Sequence, residues 1–228
     1  MTGEMAVEVH ADVLCPWCYI GHRRLRAAVS REVEDARPTI RWRAYELAPQ
    51  LGRIPGETAA EQMSAGSWWG DTAAARIARI RELGAAEGLE LNLHHARPVS
   101  SFDAHRLVKL ADFSGRADEV MEALFHGYHS EGLNIADHAV LERIGVQAGL
   151  SSDDIRSMLA GDALTAEVRS DERLGQRRGV TSVPSLVVRN RPPVSGVLSV
   201  EDLRRLINAD SRHEDNRPLS MGEGPACE

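Results

Sequence analysis

No other four residues constrain this chain as much as Cys15-Pro16-Trp17-Cys18. They stand between an apolar run, Met5 to Leu14, and an amphipathic stretch beginning at Tyr19, which places both thiols where a strand turns into a helix. At a helix start, unpaired backbone N–H groups and the positive end of the macrodipole favour a thiolate. Such positions lower a cysteine pKa from about 8.5 into the range of roughly 3.5–7.5. Cys15 is therefore expected to be the attacking sulfur. Pro16 at the first helical position sacrifices no needed hydrogen bond, and Cys18, one turn deeper, is expected to resolve a mixed disulfide formed on Cys15. A lone C-x-x-C also fits half of a zinc site, with His22 as a third ligand. No second C-x-x-C or H-x-x-C follows, so redox chemistry is favoured.

Upstream, Val7, Val9, Ala11 and Val13 alternate with polar residues, which predicts a strand over Ala6 to Val13. Asp12 just before the thiols has two readings, a proton relay to Cys18 or a group that ends the strand and caps the turn. The following helix is expected to run to about Ala36 on Ile20, Leu25, Ala28, Val29 and Val33, and Ile40, Trp42 and Ala44 predict a second strand. Together these make a β-α-β unit. From about Glu57 to Arg178 the periodicity is helical, with Asp137 and Ser151 as N-caps. Leu89 to Leu93 is ambiguous. Strand character returns over Val180 to Val188 and Val194 to Leu198, and a helix over Val200 to Ile207 closes the pattern.

The fold expected is α/β, of thioredoxin type (βαβ…ββα), with a large all-helical insertion. Its domains are residues 5–56 with 179–210 for the discontinuous thioredoxin-like part, 57–178 for the insertion, and a disordered tail, 211–228. An insertion into that frame leaves and rejoins on the thiol side, so the helical block is expected to cover part of the C-x-x-C.

The 228 residues carry a formal net charge of −7, against the basic excess of a general nucleic-acid or membrane-surface binder. No apolar run is long enough to span a bilayer. Met1 to Glu4 lack the look of a secretory signal, so a cytoplasmic location is expected, where a C-x-x-C is more often catalytic than a staple. His94-His95 and His126-x-x-His129 complete no metal-ligand set and read as surface or core histidines. Cys227, in the tail, reads either as a third redox thiol that reaches back to the pair or as an unpaired thiol of no consequence, the second being favoured.

Thr181-Ser182-Val183-Pro184 puts a proline at the start of a buried strand, where a cis peptide accounts for it. With that loop and the C-x-x-C together, the chain resembles the DsbA-like thioredoxin superfamily, in its FrnE-like branch, over about Val7 to Ile207. The resemblance is carried by Asp12-Val13-Leu14-Cys15-Pro16-Trp17-Cys18-Tyr19-Ile20-Gly21, Tyr45-Glu46-Leu47-Ala48-Pro49, Phe102-Asp103-Ala104-His105-Arg106-Leu107 and Gly179-Val180-Thr181-Ser182-Val183-Pro184-Ser185. It implies a thiol–disulfide oxidoreductase with Cys15 as nucleophile, Cys18 as resolving thiol and Pro184 in cis. Pro16, Trp17 and the Val183 backbone would meet a disulfide- or thiol-containing substrate, and no cofactor is needed beyond the dithiol.

A sister branch, the 2-hydroxychromene-2-carboxylate isomerases, shares the fold, uses glutathione and usually has serine at the Cys15 position. A glutathione-dependent isomerase of polyketide-like aromatic compounds is thus the second reading, and a redox- or zinc-responsive binding module the third. Ala48-Pro49 stands where the family often has Asn-Pro, and Ser195-Gly196-Val197-Leu198 lacks a common glutamine. Trp68-Trp69-Gly70 replaces a small glycine-rich loop and reads either as lid packing or as a landing surface for substrate.

Overall fold

The computed structural model describes residues 6–34, 37–65, 72–189 and 191–209. Trp68, Trp69, Cys227 and the tail lie outside the described residues. Among those described, β1 (Ala6–Ala11) leads through Cys15 into α1 (Pro16–Ser30), and β2 (Thr39–Ala44) follows. Seven helices come next: α2 (Ala59–Ala65), α3 (Ala73–Ala86), α4 (Phe102–Asp112), α5 (Ala117–His129), α6 (His138–Gln147), α7 (Ser152–Ala160) and α8 (Thr165–Arg178). The chain closes with β3 (Ser185–Val188), β4 (Val194–Ser195) and α9 (Val200–Asn208).

The four strands form one sheet in the order β2-β1-β3-β4. β1 and β2 are parallel, with Val7 opposite Ile40 and Val9 opposite Trp42. β3 runs antiparallel to β1, with Val9 opposite Leu186, and β4 antiparallel to β3. The thioredoxin-type frame with a helical insertion is therefore as expected.

The alternation along β1 decides what each face carries. Val9 shares an interior gap with Leu25 of α1 and Leu203 of α9, so the odd positions face that helix pair. The polar positions face inward too. Glu8 pairs with Arg43 and Arg178, a Cβ on Gly175 of α8 would lie 3.1 Å from the His10 ring, and Asp12 meets His105 of α4. Helices of the insertion cover the face that a two-layer fold would leave to water.

Several boundaries follow from local chemistry. Asp137 accepts from the Ala139 amide and Ser151 from the Asp154 amide, so both expected N-caps are in place. α1 stops at Ser30 rather than near Ala36. The amides of Arg31 and Glu32 bond three residues back, which tightens the last turn, and Val33 is 73 % exposed, so it does not extend the apolar stripe. β3 is confined to four residues, because α8 ends at Gly179 (φ +78°), a left-handed position that suits glycine, and a loop holds the chain until Ser185. Leu89, Leu91 and Leu93 are buried in alternation along a non-helical segment.

Arg106 ties the insertion together. It is 4 % exposed; its guanidinium donates to the carbonyls of Met158, Gly161 and Ala163 at the end of α7, and to Asp103. Met158 lies in the last turn of α7, Gly161 is its C-cap and Ala163 follows in the loop, so Arg106 satisfies acceptors that the helix leaves open at its C-terminus. Arg106→Met keeps the aliphatic stem and removes every donor, so it should cost about 3 kcal/mol of unfolding free energy. The urea midpoint of the variant measures this, and an unchanged midpoint would refute it.

Candidate active site

Cys15 is the N-cap of α1 in an extended conformation, and its carbonyl accepts from the amides of Cys18 (3.0 Å) and Tyr19 (3.4 Å). Pro16 occupies the first turn, as expected. Both cysteines are present as thiols. The Cys15 Sγ lies 3.7 Å from the Val183 carbonyl oxygen, a contact across 168 residues of sequence, and the Val183–Pro184 peptide is cis. α1 comes so close to this loop at Gly21 that a Cβ there would sit 3.3 Å from the Pro184 Cγ. Glycine is what lets the helix and the proline meet.

Exposure to solvent does not distinguish the two thiols. Cys15 is 0 % exposed and Cys18 2 %. Their surroundings differ instead. Leu14 and Pro16, on either side of Cys15, line an open cleft of about 390 Å³, whereas Cys18 faces inward with Gly21, His22, Pro184 and Leu186.

One wall of that cleft is the loop after β2, with Leu47 and Ala48. The other is α2, with Ala59 and Met63, together with Leu93 and Pro98. α2 is held there by its own starting amides, since those of Ala59 and Ala60 donate to the carbonyls of Ala96 and Leu93. Tyr128 and His129, from the end of α5, complete the lining, and the Asn92 amide donates to the His129 carbonyl. The insertion thus reaches the C-x-x-C, as expected. Burial drives the His129 pKa down to about 4, against smaller upward effects from the Val13 and Cys15 backbone and from Asp12, so the ring is neutral at physiological pH. Burial likewise pushes the Tyr128 hydroxyl up.

Asp12 fixes the loops on either side of the thiols. It is fully buried, and its carboxylate accepts from the Leu14 amide (3.3 Å) and the Leu47 amide (2.7 Å). This is the turn-capping reading of Asp12. His105 of the Phe-Asp-Ala-His-Arg-Leu segment lies 3.4 Å away on the other side. Asp12→Ala leaves two amides without their acceptor and should cost about 2–3 kcal/mol. Asp12→Asn, which keeps an acceptor, should cost less, and equal midpoints for the two variants in denaturant would count against the argument.

His22 belongs to a different assembly from the one expected. Its Nε2 lies 2.9 Å from Asp118 and its Nδ1 3.1 Å from Glu122, both on α5, while Trp42 meets the ring edge-on at 5.1 Å. Burial opposes its charge, but the two carboxylates outweigh burial and raise its pKa. Glu122 also accepts from Tyr19 and Arg23. His22 therefore joins the thiol-bearing helix to the insertion through two carboxylates that favour its charged form, and neither ring nitrogen is turned to metal ligation with the cysteines.

A model of one family matches residues 6–208. The chain belongs to the DSBA-like thioredoxin domain family. Among solved structures, a probable DsbA oxidoreductase from Streptomyces coelicolor is 29% identical, with a TM-score of 0.82 over 90% of this chain and 88% of that one. The cytosolic disulfide reductase DsbM from Pseudomonas aeruginosa, solved with GSH, is 20% identical, with a TM-score of 0.58 over 89% and 93% of the two chains. A 2-hydroxychromene-2-carboxylate isomerase is 17% identical, with a TM-score of 0.64 over 84% and 89%. Among curated proteins none matches in sequence. The last two likenesses carry the fold alone.

Within this DSBA-like chain the structure brings Cys15, Cys18, Val183 and Pro184 together and sets Pro16 on the cleft. Trp17 is placed differently from the substrate contact the resemblance implied. It is 1 % exposed and packs in the core. Tyr128 and His129 were not singled out for the site. The α5 stripe of Val120, Leu124, Phe125 and Tyr128 marks a buried face, but its nearness to Cys15 depends on contacts more than a hundred residues apart.

Proposed function

We propose that this protein is a thiol–disulfide oxidoreductase in which Cys15 attacks and Cys18 resolves. The observation that carries the reading is the pairing of a Cys15 N-cap on α1 with the Val183-Pro184 loop, at the edge of an open cleft. A thiolate at Cys15 takes one sulfur of a substrate disulfide and expels the other half as a thiolate. Cys18 then attacks the Cys15 sulfur of the mixed disulfide, the second substrate thiol leaves, and a Cys15–Cys18 disulfide remains. Two electrons pass from protein to substrate, and an external dithiol returns them. Run backwards, the same steps oxidise a dithiol.

The likeness to the probable DsbA oxidoreductase supports this reading, as does the presence of both cysteines where the isomerase branch usually has serine first. The protein's own dithiol is the redox group, and its proposed setting is the cytoplasm. No helix among the described residues is long and apolar enough to cross a membrane.

Catalysis of insulin reduction by dithiothreitol tests the proposal. The wild-type protein should accelerate precipitation of the insulin B chain at substoichiometric concentration, and Cys15→Ser should not. A wild-type protein no faster than buffer, combined with tight glutathione binding in calorimetry, would overturn the reading in favour of a glutathione-dependent reaction.

A further inference from the structure

The cleft beside Cys15 has an unusual lining for a site next to a reactive thiol, because among the described residues no charged side chain contributes to it. Among the described residues its walls are largely apolar, its exposed polar edge is the pair Gln50 and Gln62, and His129 is neutral. Two residues of the lining carry buried polar atoms with no hydrogen-bond partner, the Tyr128 hydroxyl and the His129 Nε2. Tyr128 is 1 % exposed and His129 2 %. A buried polar atom without a partner costs free energy, so a ligand that supplies the missing partner recovers it. The volume of about 390 Å³ falls within the range of small-molecule sites, about 300–1,000 Å³.

We infer that this cleft holds one half of a small, neutral disulfide with an apolar, preferably aromatic, body and a hydroxyl or carbonyl on its far edge. The inference rests on the dithiol reading above and names the substrate class of that site. The apolar body lies between Leu47 and Met63, its sulfur faces Cys15, and its polar edge meets Tyr128 and His129. A carboxylate or ammonium in the same position loses its hydration and finds no counter-charge, so charged disulfides, oxidised glutathione among them, are disfavoured. The chemistry is unchanged: Cys15 forms the S–S bond to the bound half, the other half leaves as a thiolate, and Cys18 releases the bound half as a thiol.

Single-turnover kinetics of the fully reduced protein, followed by intrinsic tryptophan fluorescence, tests this. The probes are diphenyl disulfides with para hydroxymethyl, methyl, carboxylate or trimethylammonium groups, together with oxidised glutathione. Each rate is divided by that of the same probe with dithiothreitol, which removes intrinsic reactivity. The hydroxymethyl probe should exceed both charged aryl probes by more than about tenfold, the expected scale for desolvating an unpaired charge. Gln62→Lys should raise the carboxylate probe relative to the ammonium probe several-fold, and Gln62→Glu should do the reverse. Tyr128→Phe should erase the preference for hydroxymethyl over methyl while leaving thermal stability unchanged or raised. Corrected rates equal across neutral and charged probes, but dependent on Cys15, would overturn the inference and leave the oxidoreductase reading standing. Rates no faster than those of Cys15→Ser for every probe would overturn both.

Discussion

Cys18→Ser should accumulate covalent mixed disulfides with its substrate, and Cys15→Ser should form none. The two thiols are equally buried, so the asymmetry comes from what each one faces. Cys15 caps α1, where the first-turn amides lack intrahelical acceptors and favour an anion, and the residues on both sides of it line the cleft. Cys18 is a turn further in, among Gly21, His22, Pro184 and Leu186. Substrate arriving through the cleft therefore meets Cys15 first. With Cys18 replaced, the first exchange proceeds and the resolving one cannot, so intact-protein mass spectrometry of Cys18→Ser should show the adduct as the dominant species. Cys15→Ser should lose turnover entirely, by at least about three orders of magnitude, as expected when a nucleophile is removed. Alkylation of the reduced wild type near pH 6 should mark Cys15 well before Cys18. Adducts on Cys18 in the Cys15→Ser protein, at the rate seen for the reverse variant, would mean that the thiols are not ordered as attacking and resolving.

What was legible in the sequence was whatever local chemistry fixes. The period-two run of Val7, Val9 and Ala11, the proline after Cys15, and the caps Asp137 and Ser151 each specify their element from within a few residues. The two halves of the site were legible separately, since a proline opening a buried strand is informative without its partner. Val33 misled because helical spacing alone cannot tell an apolar residue on the core face from one in solvent, and only the end of α1 at Ser30 decides it. The burial of the polar face of β1 was hidden for a related reason. Glu8, His10 and Asp12 read as solvent-facing until α4 and α8 are laid over them, and their partners Arg178, Gly175 and His105 lie far along the chain. Tyr128 and His129 could be assigned to a buried stripe of α5. That the stripe ends beside Cys15 is a property of how the insertion closes.

That same closure should make the protein acid-labile well above the carboxylate range. His10 is 0 % exposed on the covered face of β1, and neither ring nitrogen has a hydrogen-bond partner. Burial lowers its pKa to about 4; Asp171 and Glu8 pull the other way, and Arg178 and Arg43 reinforce burial. His129 is likewise held down to about 4. Both are neutral in the folded protein, whereas the unfolded chain binds a proton at each below the ordinary histidine value of 6.5. Their contribution is thus present above pH 6.5 and is lost as the pH falls toward 4. The two depressions correspond to about 3 kcal/mol each at 1.36 kcal/mol per unit, a large share of the roughly 5–15 kcal/mol typical of a domain. His22 does not offset this loss, because its raised pKa keeps it protonated in both states below 6.5, and its own contribution disappears only as the pH rises through the folded value. Asp118 and Glu122, whose pKa values are lowered, lose theirs at more acidic pH. Among the described residues Glu46, which burial raises, works in the opposite direction near the window. Urea unfolding between pH 7.5 and 4.5 should therefore show stability falling steeply with acid, and His10→Leu, which removes a titrating ring that no partner holds, should remove about half of the slope. An acid limb identical in His10→Leu and wild type would mean that His10 carries its proton in the folded protein, and that the face between β1 and α8 is wetter than its packing indicates.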